Sequence, residues 1–136
     1  MSAMQKDQAD IIKVLLVDDE ICYVNVLANR LSKRNILATK AFSGTEAIQT
    51  LRKQDFDVVV LDLKMEDMDG IEVLKILKKL DPRIAVIMLT GHGSEEAARE
   101  GLKEGAYDYL TKPCELSELV DKIREAHIRR GAVGQS

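Results

Sequence analysis

The chain has 136 residues, which suits one domain, and about 70% of the unfolded surface can be buried at this size. A formal net charge of −3 argues against a nucleic-acid-binding module, which would carry a basic face. No apolar run approaches the roughly 20 residues of a membrane span, and residues 1–10 are too polar for a signal peptide, so we expect a cytoplasmic protein.

The first part of the chain predicts two strands and two helices. Residues 12–17 are apolar apart from Lys13 and rich in β-branched side chains, which is typical of a strand buried on both faces. From about Ile21, apolar residues recur at helical spacing. A weaker strand is predicted at 36–41, and Ser43 with Glu46 forms a capping box that predicts the start of the second helix.

Three further strands and three further helices are predicted in alternation. The strands cover 58–61, 84–89 and 106–110, and the helices begin near Gly70, after a cap at Ser94, and at about Glu115, the last running to Arg130. Alternating strands and helices indicate a parallel sheet with helices on both faces. In such sheets a functional site forms beyond the carboxyl ends of the strands.

Polar residues follow four of the predicted strands. Asp18 and Asp19 follow the first, Asp62 the third, Thr90 the fourth and Lys112 the fifth. Carboxylates gathered at one edge repel each other, since two charges ~4 Å apart cost ~4 kcal/mol at an effective dielectric near 20. One lysine cannot balance three such charges, so either a carboxylate is protonated or a cation lies among them. An all-oxygen cluster favours a hard ion such as Mg²⁺.

This set of residues predicts phosphoryl chemistry at Asp62. A carboxylate can form an acyl phosphate, and a metal ion neutralises charge on the phosphoryl oxygens. Thr90 can donate its hydroxyl to one of those oxygens, and Lys112 can pair with another. A carboxylate has no proton to remove, so no general base is needed. Each residue alone has an ordinary structural explanation as a turn, a cap or a strand end, and only their joint placement supports the prediction.

The sequence resembles the receiver domain of two-component response regulators over about residues 11–130. The matching segments are 14–20, 57–65, 68–70, 89–93 and 105–113. The resemblance implies a flavodoxin-like, doubly wound five-stranded parallel sheet of strand order 2-1-3-4-5 with five helices. We expect residues 1–10 and 131–136 to be flexible segments on either side of this domain.

The resemblance also implies an acceptor and a metal site. Asp62 would receive a phosphoryl group from a histidine kinase or a histidine phosphotransfer protein. Mg²⁺ would be held by Asp19 directly, by Asp18 mostly through water, by Asp62 and by the backbone carbonyl of Lys64. Such a protein is a signalling phosphoacceptor that catalyses only its own phosphorylation and dephosphorylation, and we do not expect another enzymatic activity.

Further residues match the family's switch. Thr90 and Tyr109 correspond to the pair in which the hydroxyl moves toward the phosphoryl group while the aromatic ring turns inward. Lys112 would hold the phosphoryl group, and its peptide bond to Pro113 is expected to be cis. The resemblance places the output surface on the fourth helix, fifth strand and fifth helix, which could also form a homodimer. The first helix would dock the phosphodonor.

Two variable positions and three departures from the family pattern also stand out. Lys64 and His92, two residues beyond Asp62 and Thr90, should lie at the pocket rim, and we hypothesise that they control access of hydrolytic water. Two solvated side chains are the alternative. The departures are Glu66 for a common Pro, Asn35 for a common Gly at the expected left-handed end of the first helix, and Cys114 for a common Phe.

Other functions share parts of this pattern. A phosphatase of the haloacid dehalogenase type normally has Asp-x-Asp after its first strand, whereas Asp18 and Asp19 are adjacent here. A flavodoxin-like flavin carrier would need a phosphate loop in place of these acidic residues, and a degenerate receiver acting as a scaffold would not need the full set. Cys22 and Cys114 fit no zinc spacing and are predicted to be reduced thiols, with a redox pair as the alternative.

Two expectations for how the domain passes on its signal follow from the sequence. Little sequence follows the last predicted helix. A stand-alone receiver that works by protein contact is one expectation. A receiver excised from a longer transcriptional regulator is the other, because segment 89–93 resembles receivers fused to activator domains.

Overall fold

The computed structural model describes residues 11–91 and 94–135, with side chains up to Arg129. Its strands are β1 (Ile12–Val17), β2 (Ile36–Ala41), β3 (Val58–Asp62), β4 (Ala85–Thr90) and β5 (Asp108–Thr111). Its helices are α1 (Ile21–Ser32), α2 (Gly44–Lys53), α3 (Gly70–Leu80), α4 (Glu95–Lys103) and α5 (Leu116–Gln135). The strands form one parallel sheet in the order β2-β1-β3-β4-β5, which confirms the predicted fold and strand order. The predicted flexible segment 1–10 lies outside the described residues.

The central strands are buried on both faces, which explains their continuous apolar sequences. In β1, Leu15 and Val17 pack into a cluster with α2 and α3, whereas Val14 and Leu16 pack into a second cluster with α1 and α5. All residues of β3 and β4 are buried. Because side chains alternate across a strand, each of these strands supplies apolar groups to both clusters.

The register of the parallel strands brings their polar ends to one edge of the sheet. Val17 of β1 is level with Leu61 of β3, and Asp62 is level with Leu89 of β4. Thr90 is in turn level with Thr111 of β5. The residues that follow these strands therefore emerge side by side, as the strand-end rule predicts.

The helix starts agree with the sequence prediction. Ser43 Oγ accepts the N–H of Glu46 at 3.0 Å, which confirms the Ser43 half of the capping box, whereas Glu46 Oε1 accepts the N–H of Phe42 at 3.0 Å rather than that of Ser43. Ser94 is the residue before α4, as predicted, but its side chain makes no capping hydrogen bond. Its φ of −107° and ψ of 21° depart from the extended backbone that is typical of a capping residue.

Two boundaries differ from the prediction by more than one residue. β5 begins at Asp108 rather than at residue 106. Ala106 donates its N–H to the Gly101 carbonyl of α4, and Tyr107 donates its N–H to the Val86 carbonyl of β4. α5 continues to Gln135, beyond the end predicted at Arg130, so residues 131–135 of the predicted tail have helical backbone. Isolated glycines in that segment weaken a helix by about 1 kcal/mol each without ending it. Across residues 11–91 and 94–135, no helix is long and apolar enough to span a membrane.

Asn35 occupies the left-handed backbone region that its position predicted. Its φ is 63°, and it lies between the end of α1 and the start of β2. Asparagine tolerates this conformation better than most non-glycine residues, so the family's common glycine is replaced here at small conformational cost.

Gly70 provides a test of how closely the loop after β3 packs on α3. A Cβ at this position would lie 2.5 Å from Leu63 Cα and 2.7 Å from the Leu63 carbonyl oxygen. Backbone atoms cannot yield as a side chain can, so we expect Gly70→Ala to destabilise the protein by about 1–3 kcal/mol in urea unfolding. Gly91→Ala is the control, since its Cβ would meet nothing within 4 Å. Equal urea midpoints for the two variants would contradict this packing.

Candidate functional site

Three carboxylates from two strand ends form a cluster. Asp18 is fully buried, Asp62 is 6% exposed, and Asp19 is half-buried. One carboxylate oxygen from each residue lies within 4.8 Å of the other two. The structure therefore brings together the three acidic residues that the sequence predicted, and the set of oxygen donors has the chemistry that a hard divalent cation prefers.

Lys112 reaches into this cluster from the end of β5. Its Nζ lies 2.7 Å from Asp18 Oδ2 and 3.8 Å from Asp62 Oδ2, and its side chain is 19% exposed. The same Nζ lies 3.3 Å from Glu20 Oε1 and 4.6 Å from the centroid of the Tyr23 ring, a cation–π contact. One ammonium group is thus shared among several partners.

The backbone around Lys112 is ordered by β4. The Lys112 N–H donates to the carbonyl of Thr90 at 2.6 Å, which extends the pairing of β4 with β5. The peptide bond from Lys112 to Pro113 is cis, as predicted.

The pKa values show that negative charge in the cluster is incompletely balanced. Burial, and after it the charge of Asp18, raise the pKa of Asp62 to about 6, although Lys112 opposes both. Burial by itself would lower the pKa of Lys112, but its hydrogen bond to Asp18 and the charge of Asp62 outweigh burial and raise it. A cation among the carboxylates would supply the charge that Lys112 does not, so the residues present fit a divalent metal ion.

Backbone N–H groups hold each carboxylate in the cluster. Asp18 Oδ1 accepts from the N–H of Glu20 at 3.0 Å, and Asp62 Oδ1 accepts from the N–H of Lys64 at 3.3 Å. Asp19 Oδ2 accepts from the N–H of Glu66 at 3.2 Å. Proline has no N–H, so the departure from the family pattern at Glu66 gives this chain a hydrogen bond to Asp19.

The predicted position of Lys64 and His92 at the pocket rim stays a prediction. Lys64 is exposed, and its backbone N–H donates to Asp62, whereas His92 lies outside the described residues. The role of the Lys64 carbonyl as a metal ligand stays a prediction.

Thr90 and Tyr109 lie on the neighbouring strands β4 and β5. Thr90 is 3% exposed, and its Oγ1 is 3.5 Å from the carbonyl oxygen of Leu110, a long contact for a hydroxyl hydrogen bond. Tyr109 is half-buried, and its ring packs at the edge of the apolar cluster formed with α2 and α3. Their action as a switch pair stays a prediction.

Sequence reasoning missed three residues that the structure connects to the site. Glu20 and Tyr23 both contact Lys112, and Asp67 hydrogen-bonds the start of α2. Glu20 directly follows the acidic pair, so its closeness to the pocket could have been inferred. No spacing pattern reveals the other two contacts. The predicted reduced cysteines Cys22 and Cys114 are both free thiols.

The strand order, the three carboxylates, and the threonine and lysine at the same sheet edge define a receiver domain. The chain belongs to the response regulator receiver domain family, whose profile matches residues 14–124. This membership places the protein in two-component signalling and argues against the phosphatase and flavin-carrier alternatives.

Known proteins resemble the chain closely over the receiver domain. It is 40% identical over 117 residues to the transcriptional regulatory protein ZraR of Escherichia coli (strain K12), a match covering 86% of this chain and 26% of that protein. It is 37% identical to the receiver domain of Francisella response regulator 1452, with a TM-score of 0.80 and coverage of 87% of this chain and 98% of that one. A receiver domain protein from Clostridium thermocellum gives 34% identity, a TM-score of 0.87 and coverage of 90% and 99%. The chain spans about a quarter of the length of the curated relatives it matches.

In metal-free buffer, we expect Asp62→Asn to stabilise the folded protein at neutral pH. A raised pKa means that the folded state binds the proton more tightly than the unfolded state, so stability is lost as pH rises between 3.8 and about 6. From that pKa difference we expect the free energy of unfolding of the variant to exceed that of the native protein by about 3 kcal/mol well above pH 6. Near pH 4.5 the difference should fall to about 1 kcal/mol.

Urea unfolding with a chelator, at about pH 7.5 and about pH 4.5, measures this gain. Asp55→Asn is the control, because it removes one exposed carboxylate near the opposite edge of the sheet. A gain for Asp62→Asn that does not shrink at the lower pH would show that charge burial is not its cause.

Proposed function

We propose that Asp62 accepts a phosphoryl group from a phosphohistidine donor in a Mg²⁺-dependent reaction, and that this modification switches a protein-interaction surface. The observation that carries the proposal is the cluster itself. Oxygens of Asp18, Asp19 and Asp62 lie within 4.8 Å of one another, with the Lys112 ammonium beside two of them. A purely structural role would not require three carboxylates in a space where they repel.

Asp62 supplies the nucleophile. Its pKa of about 6 leaves the carboxylate mostly ionised at neutral pH, and the Lys64 N–H fixes Oδ1. A carboxylate oxygen would attack phosphorus as the phosphorus–nitrogen bond of the donor breaks, and the electron pair of that bond would return to the donor imidazole. Asp18, Asp19, Asp62 and the Lys64 carbonyl would hold Mg²⁺, which when bound neutralises charge on the phosphoryl oxygens.

Lys112 and Thr90 would bind the transferred group. Lys112 already lies 3.8 Å from Asp62 Oδ2, so its ammonium can donate to a phosphoryl oxygen with little movement. The contact of the Thr90 hydroxyl with Leu110 is long, so breaking it to turn toward the phosphoryl group costs little. Tyr109, at the edge of the apolar cluster, would follow by turning its ring inward.

The response would be a shift in an existing equilibrium of the α4-β5-α5 surface. A downstream protein, a fused output domain or a second copy of the chain would bind there, and a histidine kinase or histidine phosphotransfer protein would dock at α1. Relatives named as transcriptional regulators, such as ZraR, favour a receiver that belongs to a longer regulator. A stand-alone receiver remains the other form of the proposal, in either case in the cytoplasm.

Replacing the acceptor tests the chemistry. With acetyl phosphate and Mg²⁺, the native protein should gain one phosphoryl group, and Asp62→Asn should gain none, because an amide cannot form the acyl phosphate. Intact-protein mass spectrometry measures the gain. Asp55→Asn, which keeps the cluster, should be labelled like the native protein. Persistent labelling of Asp62→Asn would assign the acceptor to another residue.

Replacing both rim residues tests the control of phosphoryl lifetime. Removing the side chains of Lys64 and His92 by alanine substitution should open the pocket to water and speed loss of the phosphoryl group about two- to tenfold. The decay of the phosphorylated form after removal of the donor measures this rate. Lys53→Ala removes an exposed lysine from α2 and should leave the decay unchanged. The hypothesis fails if the double variant decays at the native rate.

A further inference from the structure

One side chain ties the loop between β3 and α3, residues 63–69, to the start of α2. Asp67 Oδ1 accepts the N–H of Gly44 at 3.0 Å, and Oδ2 accepts both the N–H and the hydroxyl of Thr45 at 3.1 Å. These hydrogen bonds, the one from Gly44 first among them, lower the pKa of Asp67 although the residue is exposed. An exposed carboxylate is therefore held by three donors from a distant part of the chain.

Asp67 satisfies backbone groups that α2 cannot pair by itself. The first N–H groups of a helix have no partner within the helix. Ser43 pairs with one of them, since its hydroxyl accepts from Glu46, while its carbonyl accepts the first regular helical bond from Ala47. The N–H groups of Gly44 and Thr45 remain, and Asp67 accepts both at the positive end of the helix dipole. Of the N–H groups of Gly44, Thr45 and Glu46, two are thus capped by the loop that follows Asp62.

The same loop contacts the acidic cluster on its other side. The N–H of Glu66 donates to Asp19 Oδ2 at 3.2 Å, and the N–H of Lys64 donates to Asp62 Oδ1 at 3.3 Å. Asp67 directly follows Glu66 in the chain. The segment that orients two of the three carboxylates is therefore anchored to α2 one residue further along.

Packing restricts the loop at both of its attachments. A Cβ on Gly44 would lie 2.7 Å from Val73 Cγ2 and 3.2 Å from Met68 Cβ, so α2 approaches the loop and α3 closely. At the base of the loop, the N–H of Gly70 donates to the Leu63 carbonyl at 3.3 Å. The Gly70–Leu63 hydrogen bond and the contacts of Asp67 with α2 therefore restrict the conformations of the segment that carries Lys64 and Glu66.

We propose that Asp67 is a positioning residue for the metal site, because its hydrogen bonds to α2 hold the 63–69 loop where the N–H groups of Lys64 and Glu66 orient Asp62 and Asp19. This inference rests on the proposed function, since it concerns metal binding by the same acidic cluster. Asp67 acts through its neighbour in the chain rather than as a ligand. Without Asp67, the loop would sample more arrangements in the metal-free protein. Mg²⁺ binding would then be weaker, because it would have to offset the conformational entropy lost when the loop becomes ordered.

Two alanine variants at the same helix start separate positioning from helix stability. Asp67→Ala removes the acceptors supplied by the loop, whereas Ser43→Ala removes the local cap and leaves the loop attached. We expect Asp67→Ala to weaken Mg²⁺ binding about three- to tenfold, below the tenfold or more typical of a direct partner of a metal ligand. Ser43→Ala should stay within about twofold of the native protein.

The Mg²⁺ dissociation constant is measured by titration calorimetry, without any phosphodonor. Amide hydrogen exchange in the metal-free protein gives a second readout. Asp67→Ala should speed exchange at Gly44, Thr45 and Glu66, whereas Ser43→Ala should speed it at Glu46 alone among these positions.

Asp67→Asn keeps one acceptor and should fall between the native protein and Asp67→Ala in both readouts. If Asp67→Ala does not fold, Asp67→Asn and Thr45→Val decide, with Thr45→Val expected nearer to native because it removes one of the three hydrogen bonds.

The outcomes distinguish this inference from the function on which it rests. Native Mg²⁺ affinity in Asp67→Ala, or in Asp67→Asn if the alanine variant does not fold, would overturn the inference and leave the proposed metal site standing. Equal weakening by Asp67→Ala and Ser43→Ala would also overturn it, since helix stability would then explain the effect. A native protein that binds no Mg²⁺ would overturn both.

Discussion

Repulsion among Asp18, Asp19 and Asp62 is the constraint around which the receiver is organised. Their oxygens lie within 4.8 Å of one another, and Lys112 forms its closest ion pair with Asp18. The structure opposes this repulsion with one partly buried ammonium and with N–H groups from the loops that follow β1 and β3. The raised pKa of Asp62 shows that these contacts do not cancel it. Stability must therefore come from elsewhere, and the site keeps an affinity for positive charge.

The sheet supplies that stability and also sets the distances within the site. β3 and β4 are buried along their whole length, between one apolar cluster on the α2 and α3 side and another on the α1 and α5 side. Strands packed on both faces cannot slide by one residue without exchanging their two sets of side chains. Asp62 and Thr90 are consequently held level with their neighbours by packing far from the pocket. The loops then need only small adjustments to complete the site.

The sequence predicted the fold and the acidic cluster because both depend on patterns that are local in the chain. A continuous apolar run marks a doubly buried strand, and the residue after such a run lies at the edge where sites form. The contacts of Tyr23 with Lys112 and of Asp67 with Gly44 follow no such pattern. They depend on the paths of loops and on side-chain rotamers, which are decided only when the elements pack. The end of α5 was misjudged for a related reason, since glycine weakens a helix but does not stop it alone.

The order of strands in the sheet differs from their order in the chain, and this affects how the protein assembles as it is synthesised. β1 pairs with β2 on one side and with β3 on the other, so the first strand remains half-covered until residues 58–62 have left the ribosome. If β3 pairs with β1 at that point, Asp62 joins Asp18 and Asp19 before Lys112 has been added to the chain. A nascent chain at that stage brings its negative charges together without the lysine that later offsets them. Ions of the surrounding solution, rather than the protein, must screen that charge until β5 completes the edge.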